Sequence, residues 1–298
     1  MNEQPIMGTE SVLCEICGSG DGIETSRDIT KVKPNVRQFQ NEEFTVWRCA
    51  NCGSLHSLED IDYAHYYKDY AVHRQKMDFY SRKLFSSRMR QLIRGGLLPR
   101  HSILDFGCGN GNFVRFLREK GYAGTEGYDP FSHEFGDSSV ITQQFDVVIC
   151  QDVIEHAPNP GDLLDEIASL VRRPGGILAI GTPNAEYIQL KNPLDAVGQL
   201  HQPFHRHILT SEQLVRMLEH RKFHIGRIEP RSYVETKFPF VNSPFFFNYM
   251  ASIDGTLDCC FDPIDLGMIF RSPKLLFYGF FGYFLNPKKD MSVIAIAN

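Results

Sequence analysis

The segment 101–117 constrains the fold more than any other part of the chain. It reads HSILDFGCGNGNFVRFL, which is a short apolar run, an acidic residue, a turn with three glycines and a run with helical spacing of apolar residues. This order predicts a strand, a tight turn and an amphipathic helix, the first unit of a doubly wound α/β sheet. Ligands of such sheets bind beyond the carboxyl ends of the strands. A ligand site is therefore expected beside Asp105 and the glycines that follow it.

The spacing of these glycines narrows the class of ligand. Gly107, Gly109 and Gly111 alternate with other residues, whereas a dinucleotide fingerprint needs its third glycine at position 112, which is Asn. A carboxylate directly before the turn is also a poor neighbour for a pyrophosphate. The pattern disfavours a dinucleotide-dependent oxidoreductase and favours a ligand that carries positive charge.

The residues DFGCGNG at 105–111 resemble the acid-x-G-x-G-x-G signature of class I methyltransferases that use S-adenosylmethionine. Three further segments match that family in order: FDVVICQDVIEH at 145–156, RPGGILAI at 173–180, and FHRHILTSEQL at 204–214, which is similar to the UbiE/UbiG-like branch. The resemblance runs over roughly residues 100–235. It implies a Rossmann-like doubly wound methyltransferase sheet, methyltransferase activity and S-adenosylmethionine as cofactor.

The resemblance also implies which residues hold the cofactor. Asp105 would face its sulfonium and ammonium groups, and Asp129, at the end of the next strand, would accept both ribose hydroxyls. Tyr66 and Tyr70 either close over the cofactor or pack at the seam between a helix and the main domain. The full expected set is Tyr66, Tyr70, Asp105, Gly107, Gly109, Gly111, Asp129, Pro130, Gln151 and Asp152.

The segment after Asp129 departs from the family pattern. Only residues 130–144 separate Asp129 from Phe145, where the family fits a helix and a third strand, and a crossover needs a dozen or more residues for its helix alone. The third strand is expected to be short, around 140–142, or absent. Asp137 is either a contact to adenine or an exposed loop acid.

Histidines after the fourth and fifth strands are the candidates for proton removal from a methyl acceptor, because histidine is the natural base near neutral pH. These are His156, His205 and His207, with His201 nearby. Each has an alternative role as an anchor that orients its loop or the cofactor.

Two C-x-x-C-G knuckles near the N-terminus supply Cys14, Cys17, Cys49 and Cys52. Four thiolates satisfy tetrahedral zinc and leave no open position, so the pattern predicts a structural zinc ion. A redox dithiol or a metal-free knuckle are the alternatives. His56 is expected at the surface, and the alternation in residues 44–49 predicts a strand of a small β-ribbon.

These patterns predict three regions: a zinc ribbon at 1–60, a helical linker and cofactor lid at 61–100, and a methyltransferase domain at 101–298 with an insertion at about 236–288. Residues 238–284 contain 11 of the chain's 23 Phe. This Phe-rich insertion forms a satellite core or dimer contact, a wall for an apolar acceptor, or a shallow membrane contact.

A zinc ribbon before such a domain also resembles an architecture found among nucleotide-sugar C-methyltransferases. The expected acceptor is a small molecule, that is, a sugar, a lipid or a secondary metabolite. The alternatives are methylation of a protein or nucleic acid and a scaffold that binds the cofactor without catalysis. A net charge of −5, the absence of a basic stripe and the absence of a (D/N/S)-P-P-(Y/F) segment make nucleic acid an unlikely partner.

The expected location is the cytoplasm. The first ten residues, MNEQPIMGTE, lack the basic and apolar regions of a secretory signal, and the sequence has no run of 18 apolar residues that would span a membrane.

Overall fold

The structure is a computed structural model that describes residues 13–20, 23, 26, 28–68, 70 and 74–298. The prediction about a signal in the first ten residues lies outside these ranges. The strands in the described ranges are β1 (Ile29–Val32), β2 (Phe44–Arg48), β3 (Leu55–Ser57), β4 (Ile103–Phe106), β5 (Thr125–Tyr128), β6 (Val147–Gln151), β7 (Ile177–Pro183), β8 (His207–Ile208), β9 (Phe223–Arg231) and β10 (Asp290–Ala297). The α-helices there are α1 (Tyr63–Tyr67), α2 (Phe79–Arg94), α3 (Asn112–Glu119), α4 (Pro160–Ser169), α5 (Val197–Leu200), α6 (Ser211–His220), α7 (Ser243–Ile253), α8 (Leu266–Arg271) and α9 (Pro273–Phe281).

The larger sheet has the strand order β5-β4-β6-β7-β10-β9. The first four strands of this order are parallel, and β10 runs antiparallel to both β7 and β9. The predicted α/β fold with a doubly wound sheet is thereby confirmed. The carboxyl ends of β4, β5, β6 and β7 lie at one edge of the sheet, where the sequence places its acidic and histidine residues.

The central strands are mostly apolar, as expected of parallel strands whose two faces are both covered by helices. On one face, α2 and α3 pack Phe85, Phe116 and Leu117 against Ile103 of β4. On the other face, α4 and α6 contribute Leu164, Ile167, Leu214 and Leu218 to the core that contains Leu104 and Leu178. This double cover makes β4 a rigid base for the glycine turn that follows it.

The segment after β5 contains no strand. A 3-10 helix at Ser138–Thr142 takes its place, and its Val140 and Ile141 are half-buried against the main core. The prediction of a short or absent third strand is confirmed. Asp137 caps this helix by accepting a hydrogen bond from the Ser139 amide at 2.9 Å, so the carboxylate has a structural role in an exposed turn.

The N-terminal ribbon does not close on itself. Its sheet has the order β1-β2-β3-β8, and β8 comes from the later part of the chain. Leu55 pairs with Ile208, and His56 pairs with His207. The predicted boundary at residue 60 therefore separates β3 from the strand that completes its sheet.

The Phe-rich insertion is helical and consists of α7, α8, α9 and intervening 3-10 turns. Its own small core includes Phe245, Tyr249 and Leu275. On its outer side, Phe277 and Phe284 are exposed. Among the described residues, the helices are all too short or too polar to cross a membrane.

Candidate functional site

A cavity of about 1150 Å³ opens at the carboxyl edge of the larger sheet. Its walls are formed by the ends of the parallel strands, by α1 and α2, and by the Phe-rich insertion. Sites for small molecules and cofactors usually measure ~300–1,000 Å³. The cavity is thus large enough for a cofactor and a second molecule together.

Asp105 lies at the cavity wall, at the point where β4 meets the glycine turn. Its side chain is buried, and burial raises the pKa of its carboxyl to about 7, against the opposing effect of Arg88. Gly107 follows with a positive φ of 77°, and a Cβ atom there would lie 2.3 Å from Val153. This position therefore requires glycine. The turn brings the backbone to the cavity beside the Asp105 carboxyl group, whose ionised form a cation would stabilise.

Asp129 follows β5 and faces the same turn. Its Oδ2 accepts a hydrogen bond from the Gly109 amide at 2.9 Å, and its Oδ1 accepts one from the Phe131 amide at 2.9 Å. A carboxylate has about four acceptor positions, so both oxygens can still accept hydrogen bonds from a ligand. Asp129 thus holds the loop in place and presents acceptors to the cavity.

Asp152, at the end of β6, is paired with two arginines. Arg231 Nη2 lies 2.7 Å from its Oδ1, and Arg88 Nη2 lies 3.6 Å from its Oδ2. These guanidinium groups hold the pKa of the Asp152 carboxyl below its usual value, although burial acts in the opposite direction. The Gln151 amide also donates to Asp152, at 2.8 Å. Both arginines escaped the sequence analysis because α2 and β9 are far from β6 in the chain.

The tyrosines of α1 divide between two faces of the helix. Tyr67 lies at the cavity wall, stacked on Phe131 with ring centroids 4.7 Å apart, and Tyr70 follows on the same side. Tyr66 points away, where its hydroxyl donates to Glu42 at 2.7 Å. The spacing 63, 67, 70 is a helical face, and this signal distinguishes Tyr67 from Tyr66.

Three histidines meet at the cavity. The rings of His156 and His205 have centroids 4.7 Å apart, and His201 lies 5.1 Å from His205. Burial lowers the pKa of His205 to about 4 and lowers the pKa values of His156 and His201 well below their usual range. All three rings are therefore neutral at pH 7 and carry a lone pair on one nitrogen.

His207 does not reach the cavity. Its Nε2 donates to the Pro158 carbonyl at 2.9 Å, and its Nδ1 lies 2.9 Å from Nδ1 of His56. His56 is buried, which corrects the expectation of a surface residue: β3 is covered by β8, and the Trp47 ring stacks on the His56 imidazole. His56 Nε2 in turn lies 3.2 Å from Cys14 Sγ. A continuous polar chain thus joins the cysteine cluster to Pro158 beside the cavity.

The four knuckle cysteines converge. Their sulfur atoms all lie within 4.8 Å of one another, and the Cys14–Cys52 and Cys17–Cys49 separations are 3.6 and 3.8 Å. Tetrahedral zinc with bonds of about 2.3 Å places its sulfur ligands about 3.8 Å apart. The cluster therefore has the dimensions and the donor atoms of a closed zinc site.

The far wall of the cavity is apolar. It comes mostly from α7 and the adjoining loops, and its residues are Phe240, Phe245, Phe246, Tyr249, Phe261 and Ile264. This part of the insertion faces the cavity, while Phe277 and Phe284 lie on its exposed side.

Most residues expected to bind the cofactor lie together at the cavity wall. These are Tyr70, Asp105, Gly107, Gly109, Asp129, Pro130, Gln151 and Asp152, with His156 and His205 of the three expected catalytic histidines. Tyr66, Gly111 and His207 lie outside the cavity wall. Gly111 begins α3 with a φ of 72° and packs against Phe135, so its role is in the helix start. Sequence reasoning also missed Tyr67 and gave no separate role to Glu155, which lies beside His156.

Part of the chain is similar in sequence to a curated protein. A curated relative, the ubiquinone biosynthesis O-methyltransferase of Aeromonas salmonicida (strain A449), is 30% identical over 156 residues, which are 43% of this chain and 58% of the relative. The chain thus matches less than two thirds of that relative's length.

The solved structures to which this chain is similar are distant in sequence. A chain in the complex of the Haloferax volcanii Trm112 methyltransferase activator with a methyltransferase has 14% identity and a TM-score of 0.48, covering 80% of this chain and 99% of that one. Magnesium protoporphyrin IX methyltransferase from Synechocystis PCC 6803 has 14% identity and a TM-score of 0.45, covering 78% and 97%.

A family model described as a methyltransferase domain matches residues 63–225, which is more than half of the 298-residue chain. The matched range begins at α1 and contains the glycine turn, Asp129 and all three cavity histidines. This match confirms the resemblance expected from the sequence: the chain belongs to the methyltransferase domain family.

Proposed function

We propose that this protein transfers a methyl group from S-adenosylmethionine to a small-molecule acceptor that has an apolar portion. The observation that carries the proposal is the cavity itself, which joins a carboxylate-lined end at the glycine turn to an aromatic end at α7. The relative from Aeromonas salmonicida is named as an O-methyltransferase, which supports methyl transfer as the reaction type.

The cofactor would lie at the carboxylate-lined end. When bound, S-adenosylmethionine supplies an electrophilic methyl group on a positively charged sulfur. Asp105 provides the buried negative charge that such a cation needs, and Asp129 offers carboxylate oxygens to hydroxyl groups of a ribose. The required positive φ at Gly107 and Gly109 lets the backbone approach the ligand without a side chain between them.

The acceptor would lie between the histidines and the aromatic wall. Methyl transfer is an in-line displacement, so the protein has to align the acceptor atom and help remove its proton. The neutral rings of His156 and His205 offer lone pairs at this place. Phe245, Phe246 and Tyr249 would bury the apolar portion of the acceptor.

Asp105 makes the affinity for S-adenosylmethionine depend on pH. Burial raises the pKa of the Asp105 carboxyl to about 7 in the free protein. A cationic ligand binds the ionised form, so below pH 7 the ligand has to displace a proton, which weakens its binding. Affinity is then full at pH 8 and about tenfold weaker at pH 6. Calorimetric titration at both pH values measures this ratio. Asp105→Asn should bind weakly with a much flatter profile, and an equally steep profile in this variant would assign the titration to another group.

Transfer of a labelled methyl group tests the acceptor class. With methyl-labelled S-adenosylmethionine and a cell extract, label is expected in the small-molecule fraction, and label in protein or nucleic acid instead would contradict the proposal.

Once an acceptor is isolated, Phe246→Ala should lower kcat/KM for it by about tenfold, because ~1–2 kcal/mol of apolar contact is lost. Affinity for the cofactor should stay the same. Phe277→Ala, on the exposed side of the insertion, is the matched control.

We also propose that the four cysteines bind one structural zinc ion. The sulfur separations support this, as does the position of the cluster under Trp47 at the end of the small sheet. Four protein ligands leave no open coordination position, so the ion would stabilise the ribbon and would not contact an acceptor.

A further inference from the structure

A second group of potential metal ligands lies in the wall of the cavity. Glu155, His156 and His205 each offer one ligand atom, and these atoms lie within 4.8 Å of one another. Glu155 and His156 belong to the turn after β6, and His205 belongs to the loop before β8. The group lies apart from the cysteine cluster and uses a carboxyl group, that of Glu155, which the proposed cofactor site does not need.

The Glu155 carboxyl group is fully buried and only half satisfied. Its Oε2 accepts a hydrogen bond from the Thr182 hydroxyl at 3.0 Å, which fixes the orientation of the carboxyl group. Its Oε1 is buried and has no hydrogen-bond partner in the described part of the chain. A buried carboxyl oxygen without a partner is costly, and a bound cation would remove this cost.

The two histidines are oriented toward this oxygen by their own partners. His205 Nδ1 donates to the Gln199 carbonyl at 2.5 Å, so the lone pair is on Nε2, which lies 3.9 Å from Glu155 Oε1. The His156 ring is held by the Tyr67 hydroxyl, 2.6 Å from Nδ1. Histidine ligands of metals usually have one ring nitrogen fixed in this way by a carbonyl or another polar group.

We propose that Glu155, His156 and His205 bind a divalent transition-metal ion that holds a hydroxyl group of the methyl acceptor. Two imidazoles and one carboxylate suit zinc, cobalt and related ions. Three protein ligands leave positions open to the cavity, in contrast to the closed cysteine cluster. Asp152 does not compete for the ion, because Arg231 and Arg88 already neutralise it.

Bond lengths require only a small adjustment. Two ligand atoms that share a tetrahedral ion at about 2.1 Å lie about 3.4 Å apart, and His205 Nε2 and Glu155 Oε1 are 3.9 Å apart. The ring and the carboxyl group have to approach each other by about half an ångström on binding. Both sit on short turns at the end of the sheet, where such a movement leaves the strands in place.

The role of this ion rests on the proposed function, whereas binding of the ion does not. Coordination makes a hydroxyl group more acidic. With the lone pairs of His156 and His205 bound to the ion, the acceptor hydroxyl loses its proton to water instead of to a histidine, and its oxygen forms a bond to the methyl carbon. The carbon–sulfur bond breaks with its electron pair on sulfur. The inference thus specifies oxygen as the acceptor atom.

Cobalt uptake tests the site directly. Full-length protein with zinc in the cysteine cluster is titrated with Co²⁺ alone and followed by visible absorption and by metal content after gel filtration. We expect one Co²⁺ per chain, with d–d bands and no thiolate-to-metal charge-transfer band. Glu155→Gln and His205→Ala should each weaken uptake at least tenfold, and thermal unfolding checks that both variants are folded.

Two exposed residues on α6 provide matched controls. Glu219→Gln and His220→Ala remove the same chemical groups from the protein surface and should take up Co²⁺ as the unchanged protein does. No uptake by the unchanged protein, or uptake that both site variants retain, would overturn the inference. Calorimetry with S-adenosylmethionine is a separate readout. If the protein binds the cofactor but takes up no Co²⁺, the metal site alone is rejected. If it takes up Co²⁺ but does not bind the cofactor, the proposed function alone is rejected.

Discussion

Replacing Asp129 with alanine is expected to weaken binding of S-adenosylmethionine at least about a hundredfold. Two hydrogen bonds from ribose hydroxyls to a carboxylate contribute ~1.5–3 kcal/mol each, so their loss corresponds to two or more orders of magnitude. The same carboxylate accepts hydrogen bonds from the Gly109 and Phe131 amides, so the variant also loosens the loop. Calorimetric titration with the cofactor and with its demethylated product measures the effect.

Asp137→Ala is the matched control for this experiment. Asp137 is also an acid in the segment after β5, but it is exposed and its carboxylate caps a 3-10 helix. The affinity of the Asp137→Ala variant for the cofactor should stay within about twofold of the original value, since surface substitutions rarely change a free energy by more than ~0.5 kcal/mol. Full affinity in Asp129→Ala would place the cofactor elsewhere, and a large loss in Asp137→Ala would instead indicate a contact between Asp137 and the adenine.

Replacing Cys49 with serine is expected to remove the zinc ion and to unfold the small sheet. A structural zinc ion contributes ~10 kcal/mol or more to the folding of small zinc domains, which is comparable to the whole stability of an ordinary domain. We expect loss of about one zinc per chain, measured by elemental analysis, and a fall of more than about 10 °C in the first thermal transition.

The same variant should also lose affinity for S-adenosylmethionine. The small sheet includes β8, and a series of polar contacts runs from Cys14 through His56 and His207 to the Pro158 carbonyl beside the cavity. Cys260→Ser, in a half-buried cysteine outside the cluster, should retain both zinc and thermal stability. If Cys49→Ser lost zinc and bound the cofactor normally, the ribbon would be independent of the site.

The carboxylate-lined end of the cavity could be predicted because the residues that form it are local in sequence. Asp105 lies near the end of β4, the glycines follow that strand directly, and Asp129 comes directly after β5. The side of α1 that faces the cavity was harder to predict, since Tyr66 and Tyr67 are neighbouring tyrosines and only the helical spacing of 63, 67 and 70 separates them in the sequence. The burial of His56 was wrongly predicted for a different reason: the strand that covers it is formed by residues 207–208, and no local pattern links two segments so far apart.

The half-satisfied carboxyl group of Glu155 could not have been found from the sequence either. Its burial depends on parts of the chain that meet only in the fold, among them Thr182 of β7 and His205 of a later loop. The family resemblance identified Glu155 and His156 as part of a matching motif and assigned no role to Glu155. The structure adds the distances between the ligand atoms of Glu155, His156 and His205, and it leaves Glu155 Oε1 without a hydrogen-bond partner among the described residues.

The sharing of β8 has a consequence for how the chain is made. His56 contacts His207 across a sequence separation of 151 residues, so β3 leaves the ribosome well before the strand that completes its sheet. Until residue 208 emerges, the open edge of β3 has unpaired backbone groups that can pair with other chains. Early capture of zinc by the four cysteines, all within the first 52 residues, would hold the rest of the ribbon together during that interval.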